Sequence, residues 1–188
     1  DGDDFVSREI ALVELALRER APFLGICLGA QMLAACLGSR VAADPGGRVE
    51  IGYHDVEPVG GATLQGTNLG GPWPTRFYQW HSEGFDLPAG SEVLARAAGP
   101  FPNQAFRYGP AAIGLQFHPE ITFAMAARWS GRNEVKNESR SGAQPRPDQL
   151  ADHVALGPGI QRWLSGFLVD WLGTGVSYPE GVTSPAKA

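Results

Sequence analysis

Residues 22–31 read PFLGICLGAQ, and this stretch decides the fold. A short apolar run leads into Cys27, which has a glycine two residues away on either side, and a helix-forming run follows as far as Leu37. This order predicts a strand, a sharp turn and a helix. Gly25 and Gly29 lack the Cβ atoms that would obstruct such a turn and the packing of the helix against the strand. The stretch therefore predicts a nucleophile elbow with cysteine in place of serine.

The predicted position of Cys27, at the start of a helix, favours a reactive thiol. Unpaired backbone N–H groups and the helix dipole stabilise a thiolate there. The N–H of Leu28 would point at an oxyanion that forms beside the sulfur. The alternative interpretation is structural, because free cysteine is among the most buried residue types and Gly-x-Cys-x-Gly can occur by chance at a strand end.

A second motif, GLQFHPE at residues 114–120, supports the catalytic interpretation. It predicts an apolar strand that ends in His118, with Glu120 two residues further on. Residues two apart on an extended chain face the same side, so Glu120 could orient the His118 ring. A cysteine, a histidine and a carboxylate that orients the histidine are the components of a triad for acyl transfer.

The two motifs together resemble those of the class I (triad) glutamine amidotransferases. The resemblance covers residues 5–125, and the intervening segments are most similar to stand-alone amidotransferases of the GMP synthase-like type. It implies an α/β fold with a three-layer, flavodoxin-like sheet, mostly parallel with an antiparallel flank.

The resemblance also implies a role for each matching residue. Cys27 matches the nucleophile of the family, His118 its general base and acid, and Glu120 the third member of the triad. Leu28 would supply an oxyanion N–H, and Gln31 matches the family's glutamine-binding glutamine.

His81 and Ser82 follow the predicted strand 76–80, at the place where the family binds glutamine through backbone groups. The resemblance therefore implies that they bind substrate. GMP synthases typically carry a Ser-His-Gly-Asp-type phrase there, and this chain reads Trp80-His81-Ser82-Glu83, so the match is only partial. The alternative is that His81 simply ends a strand.

The activity implied by the resemblance is hydrolysis of the glutamine side-chain amide through a γ-glutamyl thioester. Ammonia would pass to an acceptor on a synthetase partner, and the half-reaction requires no metal or organic cofactor. One alternative is a γ-glutamyl peptide hydrolase on the same scaffold. The other is a non-catalytic regulatory module that retains the fold.

Periodicity along the chain places further elements around these motifs. Apolar residues at helical spacing predict an amphipathic helix at residues 5–20. The remaining strands are predicted at residues 48–56, 76–80, 92–97 and 104–108.

The domain is predicted to span residues 1–172, with a flexible loop at 130–149 and a C-terminal helix at 159–172. Asp152 and His153 are expected at the surface, and residues 173–188 have the composition of a loose tail. In the family about half of the sheet, with a paired-glycine loop that completes the oxyanion hole, precedes the elbow. The sequence thus leads us to expect an N-terminally truncated domain.

Composition excludes several other classes of function. The net charge of −5 without a basic cluster argues against nucleic acid, and the apolar runs are too short to span a bilayer. Cys27 and Cys36 would lie more than about 10 Å apart along one helix, too far for a disulfide. No Cys/His cluster has metal-ligand spacing. A reducing, cytoplasmic setting fits this cysteine usage.

Overall fold

The computed structural model describes residues 2–60, 63–64, 67–68, 70–132 and 139–173. The helices within these residues are α1 (Gly2–Arg18), α2 (Leu28–Cys36), α3 (Phe123–Ser130) and α4 (Arg146–Gly173). The strands are β1 (Phe23–Ile26), β2 (Val41–Ala43), β3 (Glu50–Asp55), β4 (Glu57–Pro58), β5 (Thr63–Leu64), β6 (Thr67–Asn68), β7 (Arg76–His81), β8 (Glu83–Phe85), β9 (Glu92–Arg96), β10 (Asn103–Tyr108) and β11 (Ala112–Leu115).

The main sheet has the strand order β1-β11-β10-β9-β4. β1 and β11 run parallel, with Phe23 opposite Ala112 and Ile26 opposite Leu115, and the other pairs are antiparallel. The predicted α/β fold with an antiparallel flank is confirmed. Parallel pairing is less extensive than predicted, since among the described strands it is confined to β1 and β11. Short connections join β9, β10 and β11, and such connections allow only antiparallel neighbours.

Helices cover both faces of this sheet, and adjacent residues of β10 point to opposite layers. Phe106 packs with α1 and α2, in a cluster that includes Val13 and Leu33. Ala105 belongs to the larger cluster on the other face, where α4 contributes Trp163. The alternation follows from the two-residue period of a strand. It yields the three layers expected for the fold.

The C-terminal helix α4 is longer than the sequence predicted. It begins at Arg146 rather than at residue 159, and Pro158 lies inside it. The predicted loop 130–149 is therefore wrong at its C-terminal end, while residues 133–138 and the predicted tail from residue 174 onward lie outside the described residues. Proline normally disfavours a helix interior, and burial of residues on both sides of Pro158 outweighs that preference.

His153 on α4 corrects a second expectation, because it is buried rather than at the surface. Its Nδ1 lies 2.8 Å from the hydroxyl of Tyr53, and burial lowers the pKa of the ring. A neutral imidazole nitrogen accepts the hydrogen bond from the hydroxyl. This contact holds α4 against β3.

No helix in the described part of the chain is long and apolar enough to cross a membrane.

Phe167 and Val169 on α4 give a matched test of this packing. Phe167 is fully buried and Val169 is 72% exposed. Phe167→Ala should lower the free energy of unfolding by about 3–5 kcal/mol, because it removes a ring and leaves a cavity. Val169→Ala should change it by less than about 0.5 kcal/mol. Urea denaturation measures both, and similar values for the two variants would contradict the docking of α4.

Candidate active site

Cys27 is the single residue between β1 and α2, and its backbone is strained. Its φ and ψ are 50° and −104°, although it is not a glycine. Its N–H donates to the carbonyl of Leu115 at 2.7 Å, which extends the β1–β11 pairing by one residue. Such a conformation costs on the order of 1–3 kcal/mol and persists where the surrounding structure enforces it, often at functional sites. The strand, turn and helix predicted from PFLGICLGAQ are all present.

The two glycines of the elbow are not equivalent. A Cβ on Gly25 would lie 2.5 Å from the backbone carbon and oxygen of Gly29, so β1 and α2 can approach this closely only with glycine at 25. A Cβ on Gly29 itself would have no neighbour within 4 Å among the described residues. The prediction that both positions need glycine for packing is therefore correct for Gly25 and wrong for Gly29.

The structure brings His118 and Glu120 to the elbow. The ring of His118 lies close enough to Cys27 for the two side chains to interact electrostatically, and its Nδ1 lies 2.7 Å from Oε1 of Glu120. Since a carboxylate only accepts, Nδ1 donates and Nε2 is left to face the sulfur. The strand ends at Leu115, so a bend and a turn, rather than an extended segment, bring Glu120 under the ring.

The charges around His118 favour its protonated form. Burial by itself would lower the pKa of His118, but the hydrogen bonds and charges of Cys27 and Glu120 outweigh burial and raise it to about 9. Oε2 of Glu120 is buried without a hydrogen-bond partner in the described part of the chain, which leaves its charge free to act on the ring. These interactions favour an imidazolium on His118 at neutral pH.

Two further side chains shape this site, and the sequence analysis did not identify either. Gln116 is fully buried, and its Nε2 lies 3.8 Å from the sulfur of Cys27. The ring of Trp129 meets the His118 ring edge-on, with the centroids 5.1 Å apart. In the sequence, Gln116 could have been recognised as a site residue because it is a polar residue inside the apolar run before His118. Trp129 comes from α3, and nothing local in the sequence marks it.

Leu28 and Gln31 lie on the first turn of α2, beside Cys27. As the first residue of the helix, Leu28 has a backbone N–H without an intrahelical acceptor. Gln31 is buried, and its Nε2 is 2.9 Å from the carbonyl of Glu83 and 3.5 Å from Oε1 of Gln116. Both amide hydrogens are thereby used, which leaves the Oε1 of Gln31 as the atom that can accept from a ligand.

His81 and Ser82 lie where β7 passes into β8, within reach of the elbow helix through Glu83. Ser82 is half-buried on the connecting bend. His81 is buried, and both ring nitrogens face acceptors inside the protein. Both ring nitrogens of His81 are thus used within the protein. Binding of a substrate through backbone groups at residues 81 and 82, which the resemblance implied, stays a prediction.

The two cysteines differ in their surroundings. Both are free thiols, as predicted. Burial and then the charge of Glu14 raise the pKa of the Cys36 thiol, which disfavours its reactive form. The described residues contain no group of three or more His, Cys, Asp or Glu side chains that could hold a metal ion.

Substitution of the two elbow glycines tests the strand–helix contact. Gly25→Ala should lower the free energy of unfolding and slow alkylation of Cys27, because the added methyl meets rigid backbone. Gly29→Ala should leave stability unchanged or raise it by up to about 1 kcal/mol, since alanine favours a helix. Thermal unfolding and the iodoacetamide reaction rate measure both effects. Equal effects of the two variants would contradict this geometry.

The raised pKa of His118 predicts a pH-dependent contribution to stability. Because the folded pKa of about 9 lies above the ordinary value of 6.5, the contribution is complete below about pH 6.5 and is lost as pH rises through 9. The free energy of unfolding of the wild type, minus that of His118→Gln, should fall by up to about 3 kcal/mol over that interval. Urea titrations at several pH values measure it. A constant difference would contradict the imidazolium assignment.

Comparison with known proteins identifies the family. The model of the class-I glutamine amidotransferase family matches residues 2–128, more than half of the chain. A GMP synthase [glutamine-hydrolyzing] from Thermomicrobium roseum is 45% identical over 109 residues, which are 56% of this chain and 19% of that protein. A GMP synthase [glutamine-hydrolyzing] from Aeropyrum pernix is 34% identical over 132 residues, which are 68% of this chain and 24% of the relative. The chain thus spans about a fifth to a quarter of the length of these relatives.

A solved structure gives the same result. A glutamine amidotransferase from Thermotoga maritima superposes with a TM-score of 0.78 at 31% identity, over 91% of this chain and 71% of the other. A glutamine amidotransferase from Methylobacillus flagellatus, at 24% identity and a TM-score of 0.78, shares the fold over 94% of this chain and 72% of its own. Fold, elbow and sequence agree, and the chain belongs to the class-I glutamine amidotransferase family.

Proposed function

We propose that this chain hydrolyses the side-chain amide of glutamine, with Cys27 as nucleophile and His118 as proton carrier. The observation that carries the proposal is the placement of the His118 ring between Cys27, with which it interacts electrostatically, and Glu120, whose Oε1 lies 2.7 Å from Nδ1. A thiol, a ring that can shuttle a proton and a carboxylate that fixes the ring suffice for acyl transfer. Relatives named GMP synthase [glutamine-hydrolyzing] support glutamine as the acyl donor.

In the first half-reaction the Cys27 thiolate attacks the amide carbon of glutamine. The negative charge that develops on the amide oxygen is stabilised by the N–H of Leu28 at the start of α2. His118, protonated at neutral pH because its pKa is raised to about 9, donates its Nε2 proton to the leaving nitrogen. The C–N bond breaks, ammonia leaves, and a γ-glutamyl thioester remains on Cys27.

In the second half-reaction the now neutral His118 acts as a base. It takes a proton from water as the water oxygen attacks the thioester carbon. The C–S bond breaks, glutamate leaves, and the thiolate and imidazolium are restored. Glu120 holds the same ring orientation in both steps, because its hydrogen bond to Nδ1 leaves Nε2 facing the reacting atoms.

Gln31 is the candidate for recognition of the free amino-acid end of the substrate. Its amide hydrogens are used by Glu83 and Gln116, so its oxygen is oriented to accept from a ligand N–H such as an α-ammonium group. A buried amide accepts such a charge-assisted hydrogen bond without reorganisation. An ammonia-accepting synthetase is the proposed partner, because the relatives that support this assignment are named GMP synthases.

Ammonia release from glutamine tests the proposal. The wild-type chain should release ammonia, and Cys27→Ala should abolish release because no other nucleophile takes its place. Glu120→Gln should lose about a hundred- to ten-thousand-fold in kcat, since the ring is no longer held as an imidazolium in this orientation. Glu57→Gln, an isosteric change on the exposed strand β4, is the matched control and should keep wild-type kcat.

A parallel assay with γ-glutamyl dipeptides separates the two candidate substrates. Glutamine and γ-glutamyl peptides present the same amide carbon, and they differ in the group that leaves with the nitrogen. A higher kcat/KM for glutamine supports the proposal, and a higher value for dipeptides would assign the chain to γ-glutamyl peptide hydrolysis. If Cys27→Ala kept the activity, or the wild type had none on either substrate, the proposed function would be wrong.

A further inference from the structure

A buried ion pair lies near the candidate active site without being part of it. Oε2 of Glu50 is 3.1 Å from Nε2 of His81, and their side chains are 2% and 3% exposed. Neither residue contacts Cys27 or His118 in the described structure. Burial of two charges is costly, and apolar residues often fill such a space with no loss of stability. Stability alone therefore does not account for this pair.

The hydrogen bonds around His81 require a proton on both ring nitrogens. Nδ1 lies 2.9 Å from the carbonyl oxygen of Glu83, which can only accept. Nε2 faces the Glu50 carboxylate and the Oε1 of Gln79 at 3.1 Å, which are also acceptors. A neutral imidazole has one donor and could satisfy only one side. The geometry thus indicates an imidazolium held between the carboxylate of Glu50 and the backbone carbonyl of Glu83.

Neighbouring amides fix the orientation of this network. The Nε2 of Gln104 faces two acceptors at 2.9 Å, the carboxylate of Glu50 and the carbonyl of Phe101, so it must be the amide nitrogen. Its oxygen therefore faces Gln79, whose nitrogen donates to it at 2.6 Å. The oxygen of Gln79 is then left to face His81. The acceptors thus determine each amide orientation in turn.

The Glu83 carbonyl connects this pair with the active site. It accepts from Nδ1 of His81 and also from Nε2 of Gln31, each at 2.9 Å. Gln31 reaches Gln116, whose amide nitrogen faces the sulfur of Cys27. The position of one carbonyl oxygen therefore sets where the side chain of Gln31 lies.

We propose that Glu50 and His81 are positioning residues for glutamine binding. The His81 ring, anchored at Nε2 by the Glu50 carboxylate and Gln79, donates from Nδ1 to the Glu83 carbonyl and fixes it, and that carbonyl orients Gln31 toward the substrate. The inference rests on the proposed function, because Gln31 is assigned there to the amino-acid end of glutamine. It gives the His81 side chain a supporting role for Gln31, the residue proposed to contact the substrate.

Two substitutions at His81 separate the two sides of the ring. Asparagine places an amide nitrogen near the position of Nδ1 and can still donate to the Glu83 carbonyl, whereas glutamine places one near Nε2, where it faces Glu50 and Gln79 instead. Binding of free glutamine is measured calorimetrically in the full chain carrying Cys27→Ser, so that the reading does not depend on turnover. His81→Gln should weaken binding about tenfold or more, and His81→Asn should weaken it less.

His153→Gln is the matched control for stability. His153 is another buried histidine with a buried polar partner, and the proposed binding path does not include it. The His153→Gln substitution should lower the melting temperature and leave the Kd of glutamine unchanged. Three results would overturn the proposal. The Kd of His81→Gln could equal that of the parent, His81→Asn could bind glutamine more weakly than His81→Gln, or His153→Gln could lose as much affinity as His81→Gln.

Two further outcomes separate this inference from the proposed function. If Cys27→Ser binds glutamine with this pattern while the wild type releases no ammonia, the proposed hydrolysis fails and the positioning role stands. If Cys27→Ser binds no glutamine, the positioning role is overturned. Nitrogen-15 spectra of the histidine rings give an independent reading: both His81 nitrogens should carry a hydrogen, as their acceptors require, and a single protonated nitrogen would contradict the inference.

Discussion

The parallel pairing of β1 with β11 is the constraint on which the site depends. It continues one residue past β1 through the hydrogen bond from Cys27 to Leu115, and this bond fixes the strained backbone from which the sulfur projects. Three residues after Leu115 comes His118, so the same register that aligns the strands brings the ring to the sulfur. A one-residue slip of this pairing would separate the sulfur from the ring and turn the side chains of the shifted strand to the other face.

Backbone and side-chain contacts beyond the triad keep the ring in place. The N–H of His118 donates to the carbonyl of Tyr78 at 2.8 Å, which ties the segment after β11 to β7. Trp129 of α3 packs edge-on against the imidazole and also contacts Trp80. The ring is thus confined by packing as well as by Glu120. Confinement of this kind holds the ring in one place before a substrate binds, as the proposed role of His118 would require.

Buried amides join elements that are distant in the chain. Gln104 and Gln79 connect β10 with β7 and, through Glu50, with β3, while Gln116 and Gln31 connect the end of β11 with α2. A buried polar network is stable only when its members are satisfied together, so it permits few alternative arrangements. This dependence explains how a charge pair outside the site can influence a residue beside the sulfur.

The sequence by itself determined the elbow, the candidate residues Cys27, His118 and Glu120 and the family, because strand, turn and helix signals are local and the two motifs are short. It also indicated a helix over the C-terminal half of α4. Only the tertiary structure decided where α4 begins, that Gly29 is unobstructed, and that His81 is paired with Glu50, 31 positions earlier in the chain. These properties depend on burial and on partners that other strands supply. Local pattern carries no information about which distant residue lies opposite.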